Sequence, residues 1–148
     1  MSRAGIGPLA LGRSWADLVA DPDVRLTGSL EQCATSMLAA AGERFAVSFP
    51  AGDAGDDAPL PTVQSVTALR AGGDAPAILV AGAAGVGFGS SPAAVEAAYP
   101  GGSWAEPTSR ALDQLYVTSA GPVTFGFKGG VVTAVAVGAR DIPDAFCP

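Results

Sequence analysis

The chain contains no histidine, which removes the side chain that most often serves as a general base at neutral pH and as a metal ligand. Its single lysine, Lys128, and its arginines, Arg3, Arg13, Arg25, Arg44, Arg70, Arg110 and Arg140, each stand alone. No basic patch exists to track a phosphate backbone, so sequence-independent nucleic-acid binding is not expected. Cysteine is nearly absent: Cys33 and Cys147 are far apart and in no metal-ligand spacing. No apolar run reaches the roughly 18 residues of a membrane span, and the N-terminus lacks the charged-then-apolar pattern of a secretory signal. Neither G-x-S-x-G nor Ser-x-x-Lys is present, and Ser90, Ser91, Cys33 and Cys147 have no histidine to activate them. The chain is therefore read as non-enzymatic, with no catalytic residue, cofactor or metal expected.

What is present is apolar and acidic. With 148 residues, 49% of them hydrophobic, the chain can fill the core of one compact domain or of two small repeats sharing one. Fourteen Asp and Glu against eight Lys and Arg leave a formal net charge of −6. The preference for Arg, Ala, Gly and Val is that of a GC-rich coding bias, so isolated glycines carry little structural meaning.

The chain reads as the same phrase written twice. Gly7 to Leu18 leads into a short helical pattern, and Val86 to Val95 does so again, each followed by alternating apolar runs. Ser14 with Asp17 has the spacing of an N-cap, Leu18-Val19 gives an apolar face, and Asp21-Pro22-Asp23 ends the helix. In the second phrase Ser91 caps, Pro92 takes the first helical position, Val95, Ala98 and Tyr99 have helical spacing, and Pro100-Gly101-Gly102 stops it. Strands are expected at Cys33–Ala39, Phe45–Phe49 and Thr62–Leu69, then at Leu115–Ser119, Val123–Phe127 and Val131–Val137. The expected fold is α+β: two helix-plus-antiparallel-sheet repeats, residues 1–75 and 76–148, forming one compact unit with the helices on one face of a shared sheet.

The two phrases are decorated differently. Lys128-Gly129-Gly130 signals a tight hairpin, whereas residues 50–61 form a long acidic loop in the corresponding place. Asp53, Asp56 and Asp57 lack the spacing and terminal Glu of a calcium loop and are read as solvated charge or as a surface for a basic partner. Trp15, Trp104, Tyr99 and Tyr116 are read by default as core or staple packing, though such residues are also typical interface anchors. Asp53, Asp56, Asp57 and Trp104 are the candidate partner-binding residues. Ile78 to Ser91 resembles a strand running into a phosphate-binding loop, but its order, G-x-x-G-x-G-x-G, is not G-x-G-x-x-G and no Gly-Lys-Ser/Thr follows. Phe125 and Phe127 define one face of the last hairpin. Either Val132, Ala134 and Ala136 or Val131, Thr133, Val135 and Val137 join them, according to the turn. The opposite face is weakly polar, read either as ordinary strand composition or as a binding face.

The phrases Ile6 to Gly12 and Val86 to Ser91, with the closing Gly129 to Val135, resemble the tandem repeat of beta-lactamase inhibitory protein and of related bacterial envelope lipoprotein domains. That family carries a disulfide within each repeat, whereas here one cysteine falls in each half. The resemblance implies a secreted or envelope protein-binding module, with no inhibitory residue carried over. Its partner would be another, unidentified protein, and the chain itself a monomer or weak dimer. A Cys33–Cys147 disulfide would suit that location, and Met1 would then be an expression start after a removed signal. Two readings stand beside it. Gly12 to Val19 also resembles small bacterial immunity proteins, which would make the chain a cytosolic binder with free thiols, and a pocket between sheet and helices would suit an apolar-ligand carrier.

Overall fold

The computed structural model describes residues 5–6, 9–22, 24, 26–27, 35–40, 43–48, 62–70, 85–119, 121 and 123–142. In chain order these form β1 (Gly5–Ile6), β2 (Leu9–Ala10), α1 (Trp15–Ala20), β3 (Leu26–Thr27), β4 (Thr35–Ala40), β5 (Glu43–Ser48) and β6 (Ser65–Arg70). They continue as α2 (Pro92–Ala98), β7 (Ser103–Ala105), β8 (Gln114–Val117), β9 (Val123–Lys128) and β10 (Val131–Val137). β1 and β2 make a two-stranded ribbon, and the other strands form an antiparallel sheet in the order β3-β4-β5-β6-β10-β9-β8-β7.

The expectation of two helix-plus-sheet repeats is corrected by this architecture. The described molecule is mostly sheet, and its two helices have six and seven residues. Each stops after less than two full turns. Asp21-Pro22 follows the first and Tyr99-Pro100 the second, and proline disfavours helical backbone in the residue before it. A helix this short cannot build a layer: α1 buries Leu18 alone and α2 buries Val95 alone.

The serine caps are present at both helices. Ser14 Oγ accepts from Asp17 N–H and Ser91 Oγ from Ala94 N–H, and Pro92 occupies the first turn, where its missing N–H costs nothing. Backbone hydrogen bonds then dock the approach to each helix on the sheet. Gly12 N–H donates to Val63 C=O and Val63 N–H to Arg13 C=O; Gly89 N–H donates to Val132 C=O and Val132 N–H to Ser90 C=O. Arg13 further ties the first helix, donating to Asp17 C=O at 3.0 Å and pairing with Asp21 at 2.7 Å.

The last hairpin resolves the open register. Gly129 and Gly130, at φ 59° and 77°, make a two-residue turn whose positive φ angles glycine adopts without strain. Lys128 therefore faces Val131 and Phe127 faces Val132. A bulge at Thr133 then places Ala134 opposite Gly126 and Val135 opposite Phe125. One extra residue shifts the alternation, so Val132 joins Val135 and Val137 on the face of Phe125 and Phe127. Neither of the two sets read from the sequence occurs intact.

Both faces of this part of the sheet are covered by the chain itself. One carries the main core, in which Leu18, Val47, Val66, Val95, Phe125 and Val135 are buried together. The other carries a smaller cluster of Leu112, Leu115, Ala134, Ala136 and Ile142. Asp141 fastens that second cover, its carboxylate accepting from Thr108 Oγ1 at 2.6 Å and from Ile142 N–H at 2.8 Å. Thr124 Oγ1 donates across to Ala139 C=O. The weakly polar face is thus an internal surface at this end of the sheet, closed by residues 108–113 and 139–142.

Candidate functional site

The described feature that most favours recognition lies at the β7 end of the sheet. β7 follows the Pro100-Gly101-Gly102 turn and, among the described residues, pairs only on its β8 side, with Trp104 opposite Tyr116. All three of its residues are exposed. An edge strand of this kind presents backbone donors and acceptors to any chain that approaches it.

Trp104 is held there by an aromatic framework. Its ring meets Tyr116 edge-on with centroids 4.8 Å apart and Phe127 at 5.5 Å, while Tyr99 lies 5.4 Å from Phe125. Tyr116 is buried, and its hydroxyl donates to Tyr99 C=O at 2.7 Å and accepts from Gly102 N–H at 3.0 Å. That contact requires glycine at 102, because a Cβ there would stand 2.5 Å from the Tyr116 ring. With one side packed on this framework, Trp104 is still 42% exposed, a large apolar surface presented from a rigid base.

Beside it is an open cleft of about 270 Å³ lined by Trp104, Ala105, Glu106, Asp113 and Gln114. Asp113 accepts from Lys128 Nζ at 2.7 Å and from Gly129 N–H at 2.8 Å, and these two bonds hold its carboxyl below the usual carboxylate range. Lys128 is thereby neutralised by a partner within the chain. Glu106 has no ion pair among the described residues. The cleft thus combines an aromatic face, one committed carboxylate and one available carboxylate at a sheet edge.

Of the sequence candidates, Trp104 lies at this site. Asp53, Asp56, Asp57, Cys33 and Cys147 lie outside the described residues, as does the loop of residues 50–61. Glu106, Asp113 and Gln114 were not singled out. Glu106 follows β7 and Asp113 precedes β8, and the pairing of those two strands brings both residues to the lining of one cleft. In the described part of the glycine-rich segment, Gly87 N–H donates to Ser90 Oγ, Gly89 N–H to Val132 C=O and Ser90 N–H to Gly87 C=O. These amides bind the chain to itself. Among the described residues no group of three or more acidic or cysteine side chains is placed to hold a metal ion, and no helix is long and apolar enough to cross a membrane.

Comparison with protein-family models, with curated proteins and with solved structures produced no match.

Proposed function

We propose that this chain is a non-enzymatic protein-interaction module that acts outside the cytoplasm and docks its partner at the β7 edge. The observation that carries this reading is Trp104, a large aromatic side chain exposed on a strand that ends the sheet among the described residues, while it also packs on Tyr116 and Phe127. Tryptophan is among the residues that most often dominate binding energy at interfaces, and a rigidly backed ring loses little conformational entropy on docking. The absence of histidine and of any nucleophile motif supports the non-enzymatic part of the reading. The extracytoplasmic part rests on Cys33 and Cys147. It calls for intact mass after alkylation under denaturing conditions: no alkylation before reduction supports export, and two alkylated thiols without reductant count against it.

The docking surface is tested by affinity capture with the wild-type chain and Trp104→Ala, each checked for native fold by circular dichroism. A partner retained by the wild type and lost from the variant is expected, because truncating a central aromatic anchor costs about 2 kcal/mol or more of binding. Equal retention by both proteins removes Trp104 from the interface.

A further inference from the structure

The geometry points to a specific occupant for the β7 cleft: an extended, arginine-bearing segment of a partner protein, which adds to the free edge of β7 and seats its guanidinium between Trp104 and Glu106. This rests on the interaction reading above and names the chemistry it recognises. Three observations carry it. Among the described residues β7 ends the sheet, so its outer edge offers backbone pairing to an extended segment. Trp104 lines the cleft with 42% of its surface exposed, and an indole ring is the aromatic group that best attracts a cation, which arginine supplies while stacking and remaining charged. Glu106 lines the same cleft and has no ion pair among the described residues, while Asp113 is satisfied by Lys128 and Gly129.

Charge also argues against the simplest rival, pairing of two β7 edges from two copies of the chain. Each copy carries a formal net charge of −6, and antiparallel pairing of β7 with itself would bring acidic clefts together. A basic segment meets the opposite field and gains from it.

The test titrates the full ¹⁵N-labelled chain with capped Thr-Val-Arg-Val-Thr, and with the same peptide carrying citrulline or glutamate in place of arginine. The Trp104 indole N–H signal, identified by its loss in Trp104→Phe, and the amides of residues 103–106 and 114 report binding. The arginine peptide is expected to shift these signals saturably at millimolar concentration. Citrulline keeps the shape and loses the charge, so its affinity should fall by about five- to tenfold, the combined effect of one exposed cation–π contact and one exposed ion pair. Glu106→Gln should weaken the arginine peptide about two- to fivefold, leave the citrulline peptide unchanged, and reduce the dependence on salt.

Equal binding of the arginine and citrulline peptides overturns the cation while leaving the docking edge intact. The same division follows if a captured partner depends on Trp104 and is indifferent to Glu106→Gln and to salt. No shift with any peptide overturns the proposal. Shifts of the same amides that grow with protein concentration alone overturn it in favour of a second copy.

Discussion

At the scale of single residues, the β7 end of the molecule depends on a few contacts that tolerate little change. Tyr116→Phe keeps the ring and removes the hydroxyl that joins Tyr99 C=O to Gly102 N–H. Leaving both backbone groups without that partner should cost about 1–3 kcal/mol, read as a lower urea midpoint at unchanged m-value. Gly102→Ala drives a methyl group to within 2.5 Å of the same ring. Tyr116 is enclosed by the core and cannot swing away, so the loss should be about 1–3 kcal/mol with broadening of the Trp104 indole signal. Asp113 gives a prediction in pH rather than in size. Its carboxyl is held below its ordinary value of 3.8 by Lys128 first and Gly129 second, so folding favours the ionised form. The resulting stabilisation is fully present above that ordinary value and is lost as pH falls through the lower folded one. Asp113→Asn should therefore differ from the wild type by a constant amount near neutrality, with the difference shrinking below pH 3.8. Urea midpoints measured across that range check it, and a difference that grows in acid would reverse the sign.

At the scale of elements, short helices depend heavily on their ends. α1 and α2 have six and seven residues, so cap loss exposes a large fraction of each helix's backbone. Ser91→Ala removes the acceptor of Ala94 N–H and should cost about 1 kcal/mol, whereas Ser91→Asp, which restores an acceptor, should lose much less. Thermal unfolding of the three proteins distinguishes them. These caps were legible because they depend on spacing: serine, then three residues on, the amide or carboxylate it meets. The same holds for the Gly129-Gly130 turn, where the residue type dictates the backbone. What was not legible was the weight of the helices, because apolar periodicity over one or two turns is the same whether a helix forms a layer or a connection. Nor was the bulge, since Val131 to Val137 is apolar at nearly every position and gives no reason to skip Thr133. At the candidate site Trp104 stood out by type. Glu106 and Asp113 did not, since they stand seven positions apart in the sequence and only the folded chain brings both to one cleft.

At the scale of the whole molecule, the seam between β6 and β10 decides how the chain unfolds. Ala134 to Val137 pair with Leu69 to Val66, so the centre of the sheet is built from segments more than sixty residues apart in sequence. The core crosses that seam, because Leu18, Val47 and Val66 lie in the same buried cluster as Val95, Phe125 and Val135. Separating the two sides would expose Ala68, Val66, Val135 and Val137, all fully buried, and would open two strand edges at once. Neither side keeps enough enclosed apolar surface to stand alone at about 75 residues, a size at which a single core contributes only a few kcal/mol. The expected behaviour is one cooperative transition. The two tryptophans lie on opposite sides of the seam, Trp15 at the start of α1 and Trp104 in β7, so Trp15→Phe and Trp104→Phe each leave one fluorescent reporter per side. Each variant is followed in urea by fluorescence and by far-ultraviolet circular dichroism. Within each variant the local and global probes should give coincident curves, as an all-or-none transition requires. An earlier fluorescence midpoint in one variant would mean that the corresponding side opens first and that the β6–β10 pairing does not couple them.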